Sequence, residues 1–122
     1  MSLQSYRELK TWQLGMEIAV DCYKLTKSFP REELFGLTSQ IRRCSSRIPA
    51  VIAEGYGRGS RAEYLQYLRI ARGSLKELET HLILSVLIEI APSASVDPIL
   101  TKCESEGKML DAQIRSLEVE PR

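Results

Sequence analysis

Between residues 42 and 72 the chain carries seven arginines, Arg42, Arg43, Arg47, Arg58, Arg61, Arg69 and Arg72, against two acids, Glu54 and Glu63, a net of +5. No lysine is among them. A guanidinium binds phosphate in a bidentate fork and stacks on bases, so this residue type in this density suits a nucleic-acid surface. Arg43 and Arg47 are one helical turn apart, and Arg69, Arg72 and Lys76 follow at i, i+3 and i+7. Folded as an antiparallel hairpin about residues 58–59, the two sets fall at similar heights, 43 near 74 and 47 near 70. Tyr56, Tyr64 and Tyr67 lie in the same stretch. From residue 77 to the end, nine acids face four bases, a net of −5. The competing reading is therefore a solvated helix face whose arginines bridge to the acidic part of a neighbouring subunit or to an acidic protein partner.

Other candidate chemistry is thin. His81 is the sole histidine and sits among Leu78, Leu82 and Leu84, a packing environment. With no Glu-x-x-His motif the di-iron bundle chemistry is excluded, and the cysteines, Cys22, Cys44 and Cys103, have no zinc-site spacing. Gly55-x-Gly57-x-Gly59 lacks both the dinucleotide fingerprint and the P-loop ending, and reads as a helix-to-helix turn. Ser60 and the amides after it, between Arg58 and Arg61, offer at most one phosphate seat. Glu54, Glu63, Glu77 and Glu79 are the carboxylates nearest the apolar faces; the hairpin sets Glu54 opposite Glu63 and Glu77 near Gln40. Arginines surround them, which favours ion pairs over acid–base work. No enzyme, cofactor or metal is expected.

The elements that position these residues are helical. Composition is 43% hydrophobic and 27% charged in 122 residues, with 17 Lys+Arg against 16 Asp+Glu, which suits one folded domain spanning 1–122 and excludes a disordered or polycationic chain. Ser5-Tyr6-Arg7-Glu8 is a capping box, followed by an apolar face of Leu9, Trp12, Met16, Ala19, Val20 and Tyr23 ending near Ser28. A second helix places Leu37, Ile41, Cys44, Ile48, Val51, Ile52 and Gly55 on one face. Pro49 lies inside it and calls for a kink or a hydroxyl rescue near Ser45. Ser60 caps a third helix with Tyr64, Leu68, Ala71, Leu75, Leu78 and Leu82 in register. That helix becomes apolar nearly all round at 82–88, which calls for a second interface between subunits. Residues 91–95 read as a loop, and Asp97-Pro98 as the start of a last helix with Leu100, Cys103, Leu110, Ile114 and Leu117. The expectation is an all-α, antiparallel up-down-up-down four-helix bundle. The start of the chain has no signal-peptide pattern, the apolar run at 82–91 is half of the ~20 residues a membrane span needs, and the odd cysteine count suits reduced core thiols. These features point to a cytoplasmic protein with no membrane partner.

Several short elements in order also carry a resemblance: Phe29-Pro30-x-x-Glu33-x-x-Gly36-Leu37-Thr38-Ser39-Gln40-Ile41-Arg42-Arg43, Ile48-Pro49, Ile52-Ala53-Glu54-Gly55, Gly57-Arg58, and Ile70-Ala71-Arg72-Gly73-Ser74 with Glu77 and Glu79. Over about residues 6–90 the chain resembles the four-helix bundle family named after proteins encoded in intervening sequences of 23S rRNA genes; the last helix matches only in pattern. The resemblance implies a homopentameric ring, and a likeness to the accessory protein of diversity-generating retroelements, a pentamer that engages a reverse transcriptase and nucleic acid. It carries basic positions onto Arg42, Arg43, Arg58 and Arg72. Three residues depart from the family pattern: Arg47 replaces a small serine, Val51 an asparagine and Cys44 an alanine. The resulting expectation is a non-enzymatic homo-oligomer that binds RNA or DNA phosphates through Arg42, Arg43, Arg47, Arg58, Arg61, Arg69 and Arg72. The alternative is a protein-interaction scaffold.

Overall fold

The structure, a computed structural model, describes residues 5–119. The expectation about the chain's first four residues, and the charges of Glu120 and Arg122, lie outside the described residues. Four helices, α1 (Lys10–Thr26), α2 (Leu37–Gly57), α3 (Arg61–Leu87) and α4 (Ser93–Glu118), account for most of the described chain, which contains no strand. Each helix packs on two neighbours, in the cycle α1, α2, α3, α4 and back to α1. Cross-contacts run antiparallel at every seam: Thr26 meets Arg42 and Cys22 faces Ser45, Tyr67 meets Glu54, Arg72 meets Asp111, and Thr11 meets Gln113 while Asp21 meets Lys102. Ile18, Ile41, Ile48, Ile52, Leu68, Leu75, Leu78, Leu82, Val96 and Leu110 have no solvent exposure and form one core.

The start of α1 differs from expectation. Ser5 caps a single 3₁₀ turn, Tyr6–Glu8, by accepting from the Arg7 amide at 3.1 Å, and Leu9 is extended before α1 begins at Lys10. The inward face of α1 differs as well. Thr11, Gly15, Ile18, Ala19, Cys22 and Thr26 are buried, whereas Met16, Val20 and Tyr23 stay 40 to 49% exposed. The buried stripe is the smaller one, and small side chains let α1 approach α2 and α4 closely. A Cβ on Gly15 would stand 3.5 Å from both Ile48 Cγ2 and Pro49 Cβ. Close helix approach won over the burial of the larger apolar side chains.

Helix α2 begins where the Glu33 carboxylate accepts from the Leu37 amide at 3.0 Å, which gives the Glu33-x-x-Gly36-Leu37 pattern a physical role as an N-terminal cap. The helix is continuous through Pro49. The Ser45 hydroxyl, expected to rescue the bond Pro49 cannot make, instead donates to the Arg42 carbonyl at 3.1 Å. The α2–α3 turn uses Gly59 at φ +82 and Ser60, whose hydroxyl accepts from the Glu63 amide at 3.1 Å. The register of this hairpin is about one turn from the expected one. Glu54 stands opposite Tyr67, and a Cβ on Gly55 would lie 2.5 Å from Tyr67 Cβ. Gly55→Leu is thus expected to destabilise by about 2–3 kcal/mol through overpacking, read as a lower denaturant midpoint.

Helix α4 starts at Ser93, four residues before the expected cap, and Pro98 lies inside its second turn. Starting early buries Val96 and Ile99 at 0 and 4% exposure, and that burial outweighs the single backbone bond Pro98 removes. Helix α3 closes with Ile90 N–H bonded to Ser85 O at 2.9 Å and Glu89 N–H to Val86 O at 3.0 Å, a Schellman stop with Glu89 at φ 64. A glutamate in that left-handed position is strained. Glu89→Gly is expected to raise stability by about 1 kcal/mol, checked by thermal melting.

Candidate nucleic-acid interface

The seven arginines separate into two groups according to what holds them. Arg42 is a clamp between α1 and α2: its Nε donates to Thr26 Oγ1 at 2.8 Å and its guanidinium lies 4.9 Å from the centre of the Tyr23 ring. Arg58 closes the α2–α3 turn, 2.9 Å from Glu63 and 3.7 Å from Glu54, over the Tyr67 ring. Its guanidinium is held still more firmly protonated, first by the hydrogen bond to Glu63. Arg61 donates to the Leu117 carbonyl at 2.9 Å, tying the start of α3 to the last turn of α4. Arg69 pairs with Glu118, and Arg72 with Asp111 at 3.1 Å. The charge complementarity between the basic stretch and the acidic C-terminal part is therefore met, for Arg69 and Arg72, inside one chain.

Arg43 and Arg47 are different. Both are exposed on α2. Arg43 touches only the Gln40 side-chain oxygen, at 2.8 Å, and Arg47 has no partner among the described residues. They line an open cleft of about 610 Å³ with Gln40, Ala50, Val51, Glu54 and Glu77. The cleft floor includes Cys44, whose thiol is pushed up by burial first and by Glu77 second, with Arg43 and Arg47 pulling it partly back. A thiol so placed is a weaker nucleophile than an exposed one. Val51 is buried, so the position where the family pattern carries asparagine offers no polar group here.

The tyrosines are committed to packing. Tyr64 Oη accepts from Gln113 at 2.6 Å and its ring meets Tyr56 edge-to-face at 6.0 Å; burial raises its phenol. Tyr67 donates to Glu54 at 3.2 Å. Two basic residues outside the arginine stretch were not anticipated as part of the surface. Lys24 and Lys27 border a second groove, lined by Met16, Val20, Tyr23 and Pro49, and Ser46 lies on the edge of both this groove and the arginine cleft. Their signal in the sequence was a pair of lysines at the C-terminal end of α1, hidden because that helix face was assigned to the core.

The three cysteines are free and buried, and burial pushes Cys22 and Cys103 up to about 12 each. Among the described residues no group of three or more histidine, cysteine or acidic side chains converges as metal ligands. Among the described residues no helix is long and apolar enough to cross a membrane.

The sequence profile of the 23S rRNA-intervening sequence proteins matches residues 7–112, a span that includes most of α4. Among solved structures, a protein of unknown function from the S23 ribosomal protein family of Bacteroides thetaiotaomicron is similar at a TM-score of 0.80 and 27% identity, over 86% of this chain and 95% of that one. No curated protein matches the sequence. A profile that runs through all four helices, on a bundle of the same shape as a protein from the S23 family, places the chain: it belongs to the 23S rRNA-intervening sequence protein family.

Proposed function

We propose that this protein is a non-enzymatic, homo-oligomeric bundle that binds RNA or DNA phosphates through the α2 face, with Arg43 and Arg47 as the primary contacts. The observation that carries this reading is the pair of exposed guanidiniums, one turn apart, that have no carboxylate partner while Arg42, Arg58, Arg61, Arg69 and Arg72 are engaged within the chain. Lys24 and Lys27 extend the positive surface across Ser46. Repetition around a ring would multiply weak phosphate contacts through avidity. Fluorescence anisotropy with structured RNA, single-stranded DNA and duplex DNA over a salt series tests it. A steep fall of affinity with salt on at least one ligand is expected, since each neutralised phosphate releases counterions. Absence of binding at low salt would reject the reading and leave a protein-interaction scaffold.

Self-association, with five subunits as the family resemblance implies, has its own support. Leu34, Phe35, Leu87 and Ile88 are 48 to 91% exposed. The antiparallel topology brings the α1–α2 and α3–α4 connections, and with them these side chains, to one end of the bundle. Ile83 and Leu84 continue the apolar surface along α3. Exposed apolar side chains gathered at one end of a bundle favour an interface there. Leu84→Asp with Leu87→Asp is expected to shift the protein to monomer in sedimentation velocity, with its helicity retained.

A further inference from the structure

The apolar stripe of α4 runs through Val96, Ile99, Cys103, Leu110 and Ile114, and the residue that fills its centre is a glutamate. Glu106 has no solvent exposure, and neither of its carboxylate oxygens has a hydrogen-bond partner in the described protein. The space it occupies is provided by α1, where a Cβ on Gly15 would stand 3.2 Å from Glu106 Oε2; Ile48 and Pro49 of α2 wall the same spot. No charged group from any packed helix acts on it. On α1, Glu17 and Asp21 are held at the surface by Lys102; on α3, Lys76 and Glu79 pair with each other; on α2, the adjoining side chains are apolar. The titratable group that senses Glu106 is Cys103, one turn before it.

We infer that Glu106 is a proton-operated catch on the seam between α4 and α1. With its proton, the carboxyl is a neutral group that the packed seam tolerates. Without it, a carboxylate with no partner must reach water, and parting of α4 from α1 at Gly15 would bring it there. Burial is the physical cause that holds the proton, pushing this acid up to about 8, so the catch is set to respond near neutral pH.

Maleimide labelling of the native protein between pH 6 and 8, with the modified cysteines mapped by mass spectrometry, tests this. The Cys103 rate, divided at each pH by that of Glu106→Gln, is expected to rise about tenfold per pH unit, because opening releases one proton. The ratio removes the ordinary pH dependence of the thiol. Cys44, which lines the open α2 cleft and is reached there without unfolding, is expected to show a constant ratio. A constant Cys103 ratio would overturn the proposal. A Cys44 ratio that rises in step would equally overturn it, since the whole bundle would then be unfolding. Should Glu106→Gln fail to fold, Glu106→Met serves as the same non-ionising reference.

Discussion

Glu106→Gln is expected to be more stable than the native protein at pH 8.5 by about 5 kcal/mol, and nearly equal to it at pH 4.5. The native carboxyl is raised from 4.5 to about 8 by burial, with no other cause contributing. Between those two values the folded state holds a proton that the unfolded chain has released. Stability of the native protein therefore falls as pH rises across that window, and levels off above about pH 8. Each unit of the shift corresponds to about 1.4 kcal/mol, which gives the size of the effect. Glutamine has the shape of the neutral acid but cannot ionise, so its curve lacks the slope. Urea midpoints of both proteins at four pH values measure it; parallel curves would show that Glu106 is not held protonated in the core.

The second large effect concerns binding. Arg43→Glu with Arg47→Glu is expected to weaken nucleic-acid affinity at least a hundredfold. Two charge-assisted contacts at about 1.5–3 kcal/mol each are removed, and like charge is placed where phosphate would lie. Stability should change by no more than about 0.5 kcal/mol, because both side chains are exposed and their one hydrogen bond among the described residues is to Gln40. Reversal at Arg72 is a different experiment. Its guanidinium is 3.1 Å from Asp111, so a glutamate there repels α4, and a loss of binding could arise from the fold. For that reason the double reversal belongs on Arg43 and Arg47.

How much of this was legible in the residues varies from helix to helix. Helices α2 and α3 follow their periodicity closely: Ile41, Cys44, Ile48 and Ile52, and Leu68, Leu75, Leu78 and Leu82, all face inward. In α1 the periodic pattern of Met16, Val20 and Tyr23 was real, but the buried face is the one with Gly15 and Cys22. Hydrophobicity alone ranks side chains by size, whereas close helix approach favours small ones. At α4 the Asp97-Pro98 pair imitates a helix start, and only tertiary burial of Val96 reveals the true one.

The basic stripe was visible as composition, and its division into engaged and free arginines was not. That division depends on the α3–α4 register, which brings Asp111 and Glu118 to Arg72 and Arg69. Glu106 was counted among the nine acids of the C-terminal part. Its place between Cys103 and Leu110, at the i+3, i+4 spacing of the core, was the signal that could have singled it out.

The measurement that bears most directly on the central claim is the salt dependence of binding for the native protein beside Arg43→Gln/Arg47→Gln, using whichever ligand binds most tightly. Two lost phosphate contacts in each occupied cleft should reduce the slope of log affinity against log salt by about 2, together with a clear loss of affinity at low salt. An unchanged slope and affinity would contradict the account, and would assign these two guanidiniums to some other partner.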